Sequence, residues 1–284
     1  MAVLKIGLDV GSTTVKSVVI KNDKVIFSSY ERHYSDTIRT ITKILSSIIN
    51  MYKKDKFEIT LTGSGAIALA NYLDIPFVQE VIACKNSINK FNPACDVAIE
   101  LGGEDAKIIY FGTTVEQRMN SSCAGGTGAF LDQMAVLLNT DTKGLNELAL
   151  KGKQIYPIAS RCGVFAKTDI QPLLNEGAAK EDIALSIMQA VVNQTISGLA
   201  CGKPIRGNVI FLGGPLNYLD ALKQRFITTL NLSDDQIQKV DDARIFVCIG
   251  ATLEDIKRYE YSFNEVEELI KKASSFKEKN SLSS

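Results

Sequence analysis

The sequence predicts an α/β protein built from two similar domains with a cleft between them. Two observations carry that expectation. A strand, a Gly turn flanked by acidic residues and a returning strand open the chain at residues 3–20, and the same run opens again at 96–111. Segments with apolar residues at helical spacing follow each opening. At 284 residues, 45% of them hydrophobic and 23% charged, the chain is long enough for a sizeable core in one large or two medium domains.

Taken in order, residues 3–10 read as a strand, Gly11-Ser12-Thr13-Thr14 as a tight turn and 16–20 as a second strand. Asn22-Asp23 turns the chain into a third strand, 24–27. Residues 35–52 place Ile38, Ile41, Ile44, Leu45 and Ile48 on one helical face. A strand at 57–62 ends in Gly63-Ser64-Gly65 and leads into a helix at 66–72, after which Cys84 and Cys95 flank a polar loop. The second half opens with a buried strand at 96–101, the turn Gly102-Gly103 and a strand at 106–111. The Gly-rich break Ala124-Gly125-Gly126-Thr127-Gly128 precedes a helix at 129–138. Further helices are expected at 142–151, at 164–174, where Pro172 forces a kink or stop, and at 180–199. The strand Val209–Leu212 runs into the turn Gly213-Gly214-Pro215 and a helix at 219–230. Residues 245–248 read as a last strand, and 251–259 as the start of a terminal helix. The domains are therefore expected at 1–95 and 96–249, the first completed by a C-terminal helix at about 250–270, with a tail or linker at 271–284.

Lys+Arg and Asp+Glu are both 32, so the chain lacks the basic excess of a nucleic-acid binder. No apolar run approaches the length of a membrane span, and the chain reads as cytoplasmic. Six cysteines in so long a chain read as thiols or metal ligands rather than a disulfide framework. Histidine-based zinc sites and Ser-His-Asp or Cys-His mechanisms would all rest on the single His33, and are set aside.

The turns carry the first chemistry. Gly11, Ser12, Thr13 and Thr14 offer backbone N–H groups and three hydroxyls to one point, a geometry suited to β- or γ-phosphate oxygens. Asp9 at the strand end is placed to hold Mg2+ through water, and Lys16 to approach the phosphates as a point charge. An ordinary hairpin, with Gly and Ser merely permitting the turn, would carry the same residues. Gly102 and Gly103 allow close approach to a phosphate, and Glu100 and Glu104 flank them as carboxylates able to bind metal or orient an attacking water. At Gly213, Gly214 and Pro215 a ribose or adenine has bare backbone to lie on.

The order strand-Asp-x-Gly-Ser-Thr, strand-x-Gly-Gly, strand-Gly-Gly-Pro resembles the ATPase superfamily of acetate and sugar kinases, heat-shock chaperones and actin. That resemblance implies two ribonuclease-H-like (actin-like ATPase) domains closing on ATP or ADP with Mg2+. Walker-type P-loops are absent, and Gly125-Gly126-Thr127-Gly128 lacks the preceding strand of a Rossmann fingerprint.

Cys123 and Cys162 each stand before a predicted helix, whose N-terminus stabilises a thiolate. A 4Fe–4S cube needs four thiolates, and a two-fold dimer would supply two pairs. Two plain buried thiols, or a single-chain site from Cys84, Cys95, Cys123 and Cys162, are the other readings. Cys248 reads as core and Cys201 as the end of a long helix. The motifs Cys123-Ala124-Gly125-Gly126-Thr127-Gly128-x-Phe130-Leu131 and Ile158-Ala159-Ser160-Arg161-Cys162-Gly163-Val164-Phe165-Ala166 resemble the activators of 2-hydroxyacyl-CoA dehydratases and the ATPase subunits of benzoyl-CoA reductase. The resemblance runs from Ile6 to about Ala251, and its wording is most similar to the N-terminal module of the long multidomain members. It implies a homodimer with one bridging 4Fe–4S cluster on Cys123 and Cys162, an ATP-driven movement of the cluster-bearing helices, and one-electron transfer to an acyl-CoA dehydratase or reductase. A ferredoxin or flavodoxin would supply the electron. The chain departs from the short activators at Glu100, where they carry Asp, and at Glu104, where they carry Gln. Residues 62–65 also lack an aromatic between the glycines. The rival readings are a small-molecule kinase of the same fold and a nucleotide-gated interaction module without a cluster.

Overall fold

The computed structural model describes residues 2–120, 125–159 and 162–281. The chain forms two compact units, Met1–Pro93 with Arg244–Ser284, and Ala94–Ala243. The first stretch contains β1 (Val3–Val10), β2 (Thr14–Lys21), β3 (Lys24–Arg32), α1 (Thr37–Met51), β4 (Lys56–Thr62), α2 (Ile67–Leu73) and α3 (Glu80–Phe91). The second unit contains β5 (Val97–Leu101), β6 (Ala106–Tyr110), β7 (Glu116–Met119), α4 (Gly128–Leu137), α5 (Thr142–Ala149), α6 (Gly163–Asn175), α7 (Lys180–Thr195), β8 (Val209–Leu212), α8 (Gly214–Tyr218), α9 (Asp220–Leu230) and β9 (Ile237–Gln238). The chain then returns to the first unit with α10 (Phe246–Leu253) and α11 (Phe263–Ser281).

Both sheets share one plan. The first runs β3-β2-β1-β4 and the second β7-β6-β5-β8-β9. In each, a central strand is antiparallel to its hairpin partner and parallel to the strand that returns after a helix. Strands β1, β2 and β5 are buried along most of both faces. Thus Leu4, Ile6, Leu8 and Val10 pack with Ile41, Ile44 and Leu45 of α1, while Val18 and Ile20 on the opposite face meet Ile245 and Cys248. The second core gathers Val97, Ile99 and Leu101 with Phe130, Met134, Ile187 and Val191.

Residues 245–248, expected as a strand, lie at the start of helix α10. Short apolar runs do not distinguish the two states, and packing decides. Helix α10 lies flat on β1 where Gly7 has no side chain: a Cβ there would come within 2.5 Å of Cys248 O. It also meets α3 so closely that a Cβ on Gly250 would stand 1.7 Å from Ala83 O. Helix α3 itself occupies most of the span expected as a polar loop, with Cys84 wholly buried inside it. The helix expected from 251 instead ends at Leu253, and α11 begins at Phe263.

The expected tail from 271 continues α11. Ala273 is buried, and Phe276 packs against Tyr72 in a tilted pair with ring centres 5.0 Å apart. Pro172 lies within α6, and the helix ends at Asn175, less than one turn beyond it. Helix α7 with its π-helical continuation, Lys180–Ala200, is long and apolar enough to cross a membrane by length and composition, contrary to expectation. It is largely buried within its own unit, as a core helix is.

Candidate functional site

Strand β1 ends at Val10, and the chain reverses through Gly11, whose N–H donates to Thr14 O at 2.9 Å. The hairpin register sets Asp9 opposite Lys16, and their side chains pair at 2.7 Å with only 4% and 13% exposure. Pairing offsets the cost of holding two charges away from water. Thr14 is buried, Gly11 and Thr13 are half-buried, and Ser12 is exposed. His33, set aside by sequence reasoning, fastens this turn. Its backbone N–H donates to Thr13 O at 3.1 Å. Its Nδ1 accepts from Ser35 N–H at 3.1 Å, which leaves Nε2–H as the donor to Gly11 O at 3.2 Å. A histidine far along the chain gave no local signal of this role.

The second turn repeats the first. Gly102 N–H donates to Asp105 O at 2.7 Å, and Glu100 stands opposite Lys107 in register as Asp9 does opposite Lys16. Here the lysine pairs with Asp105, at 2.7 Å and 6% exposed. Glu100 is buried and Glu104 exposed, so the two flanking carboxylates stand in different surroundings. Asn120 braces the turn, accepting from Ala106 N–H at 2.7 Å. The Gly-rich break serves this turn as well: Gly128 N–H donates to Gly102 O at 3.0 Å and Ala129 N–H to Gly103 O at 2.7 Å. Helix α4 is therefore bonded directly to the turn.

Gly213 closes the third element with φ +89, and a Cβ on it would stand 2.1 Å from Leu101 O. Gly63 does the same in the first unit, with φ +95 and a Cβ 2.3 Å from Val10 O. Both glycines are required because a parallel strand ends against the backbone just before the turn. Gly213 and Gly214 are buried, and Pro215 lies in the first turn of α8.

Cys162 is half-buried and caps α6, its carbonyl accepting from Ala166 N–H at 3.0 Å while its side chain makes no cap bond. Helix α6 starts against α4, where a Cβ on Gly163 would come within 2.7 Å of Gln133 Oε1. Cys123 lies outside the described residues, and the helix that follows it begins at Gly128. Cys95 and Cys248 donate to Val97 O at 3.4 Å and Gly7 O at 3.0 Å, and burial pushes Cys95 up to about 12 and Cys248 well above the ordinary thiol pKa. Cys201 is exposed. Among the described residues no group of three or more His, Cys, Asp and Glu side chains gathers to hold a metal ion. At about pH 8, near the usual thiol pKa, an alkylating reagent is expected to label Cys162 and Cys201 in native, metal-free protein. Cys84, Cys95 and Cys248 should react only after unfolding. Peptide mass mapping reads this directly, and native labelling of Cys95 would refute the packing given for it.

The model of the BadF/BadG/BcrA/BcrD ATPase family matches residues 6–254. The (R)-2-hydroxyglutaryl-CoA dehydratase activating ATPase of Acidaminococcus fermentans is 33% identical over 221 residues, 75% of this chain and 84% of its own. The 2-hydroxyisocaproyl-CoA dehydratase activator of Clostridioides difficile is 30% identical over 215 residues, 73% of this chain and 79% of its own. A solved structure of the Clostridium difficile activator with bound ADPNP superposes with a TM-score of 0.75 at 26% identity, covering 93% of this chain and 96% of that one. Together with the two mixed sheets, this places the chain in the actin-like ATPase fold class, as the order of its motifs predicts.

Proposed function

The chain belongs to the BadF/BadG/BcrA/BcrD ATPase family, and from that premise we propose that it hydrolyses Mg–ATP to deliver single electrons from a 4Fe–4S cluster to a 2-hydroxyacyl-CoA dehydratase-type partner. In this reading the protein works in the cytoplasm as a homodimer, reduced by a ferredoxin or flavodoxin. The observation that carries it is the pair of hydrogen bonds from Gly128 and Ala129 at the start of α4 to the carbonyls of Gly102 and Gly103. A displacement of that turn by phosphate is passed to α4 through backbone bonds, and from α4 to α6 through the Gly163–Gln133 contact. These are the helices that follow Cys123 and Cys162.

The residues divide the work. Asp9 would hold Mg2+ through water, and Lys16 would exchange its carboxylate partner for a phosphate oxygen. Gly11 to Thr14 and Gly102 to Gly103 supply backbone donors and hydroxyls, and Gly213, Gly214 and Pro215 border the nucleoside. Glu100 and Glu104 are the carboxylates available to orient water, the first buried and the second exposed. Cys162 suits a thiolate ligand, being half-buried at the N-terminus of a helix with no competing side-chain bond. Cys123 is the proposed second ligand of each subunit. Four thiolates would hold one cluster, which supplies the low-potential electron.

Anaerobic purification tests the reading. The expected product is brown, dimeric, and carries about four irons per dimer. Asp9→Asn is expected to slow ATP hydrolysis by about 10–100-fold, the usual cost of removing an outer-shell group of a metal, with iron content unchanged. A colourless wild type that hydrolyses ATP would remove the redox role, and a wild type that binds no Mg–ATP would remove the whole proposal.

A further inference from the structure

Thr62 carries the one buried side-chain oxygen or nitrogen, among the described residues, that has no hydrogen-bond partner. The residue is 0% exposed at the end of β4. It is the register partner of Asp9, as Asp9 is of Lys16, so Lys16, Asp9 and Thr62 form one row on one face across three neighbouring strands. Adjacent strands lie about 4.8 Å apart, so the Asp9 and Thr62 side chains are cross-strand neighbours on that face.

The second unit has the same row without the hydroxyl. Lys107 stands opposite Glu100, and Glu100 opposite Leu212. A buried leucine therefore satisfies the fold at the corresponding end of β8. Burying a hydroxyl without a partner costs free energy, and a valine would fill the same volume without that cost. Packing alone gives no reason for Thr62.

Ligand chemistry gives one. Asp9 Oδ2 accepts from the Lys16 ammonium at 2.7 Å, in a place almost closed to water. When the ammonium turns to a phosphate oxygen, the carboxylate loses that donor just as it must be aimed at the metal. We propose that Thr62 is a positioning residue for Mg–ATP: its hydroxyl donates to the Asp9 carboxylate once Lys16 has moved, and holds it toward the metal-bound water. This rests on the reading of the Asp9 turn as the Mg–ATP site. In the ligand-free chain Lys16 holds the carboxylate through Oδ2, and the Thr62 hydroxyl has no partner.

Two substitutions test it. Thr62→Val removes the hydroxyl at constant volume, and Thr62→Ser keeps it. Thermal melts without ligand, and calorimetric titrations of ATP with and without Mg2+, are read on both. Thr62→Val is expected to raise the ligand-free melting temperature by about 2 °C, since an unpaired buried group is removed. It should weaken Mg–ATP binding about tenfold, with metal-free ATP binding unchanged. Thr62→Ser should bind Mg–ATP within about twofold of wild type. A lowered melting temperature, or equal loss of metal-free and metal-bound ATP, would make the hydroxyl structural and overturn the proposal. Wild-type affinity in Thr62→Val overturns this inference alone. A wild type that binds no Mg–ATP overturns the underlying reading and this inference with it.

Discussion

Cys162→Ser is expected to abolish iron binding in anaerobically purified protein while leaving the fold and ATP binding intact. The residue precedes α6, and the bond that opens the helix is accepted by its carbonyl from Ala166 N–H, which serine keeps. Serine is itself a favoured N-cap, so the melting temperature should hold or rise slightly. The thiolate, however, is lost, and in a symmetric dimer one substitution removes two of the four proposed ligands. Iron and acid-labile sulfide are measured beside a thermal melt and an ATP titration. Wild-type iron in Cys162→Ser would remove Cys162 from the ligand set, whatever else the protein does. The exposed Cys201 is the matched control, and Cys201→Ser should keep its iron.

Gly213→Ala is expected to destabilise the second unit by about 4 kcal/mol. Two costs add. An L side chain at φ +89 and ψ 166, a region essentially confined to glycine, is strained by about 1–3 kcal/mol. The new Cβ would stand 2.1 Å from Leu101 O and 2.8 Å from Leu101 C, so the end of β8 or of β5 must move, an overpacking cost of about 1–3 kcal/mol. Gly177→Ala is the comparison without a clash, because φ there is +80 and nothing lies within 4 Å of the new Cβ. It should cost only about 1–2 kcal/mol. Urea unfolding of the three proteins gives the comparison. Equal losses at Gly213 and Gly177 would show that the close approach to Leu101 is unimportant.

The two strand–turn–strand openings could be read from the sequence because their causes are local. Apolar runs bounded by glycine turns mark the hairpins whose registers place Asp9 opposite Lys16 and Glu100 opposite Lys107. The amphipathic face of α1 was legible for the same reason, since Ile41, Ile44, Leu45 and Ile48 recur at the helical period and are all buried. The cysteine motifs were legible as patterns of residue types.

What the tertiary structure decided was long-range. Residues 245–248 carry the composition of a strand, and become the start of a helix because bare backbone at Gly7 and Gly250 lets α10 lie against β1 and α3. His33 reads as an isolated histidine until the fold brings it to the Gly11 turn. Thr62 reads as one more strand threonine until the β1–β4 register sets it beside Asp9 without a hydrogen-bond partner. A turn or an amphipathic face is determined within a few residues of chain. The state of a short apolar run, and the partner of a buried polar atom, depend on which distant backbone comes to lie against it.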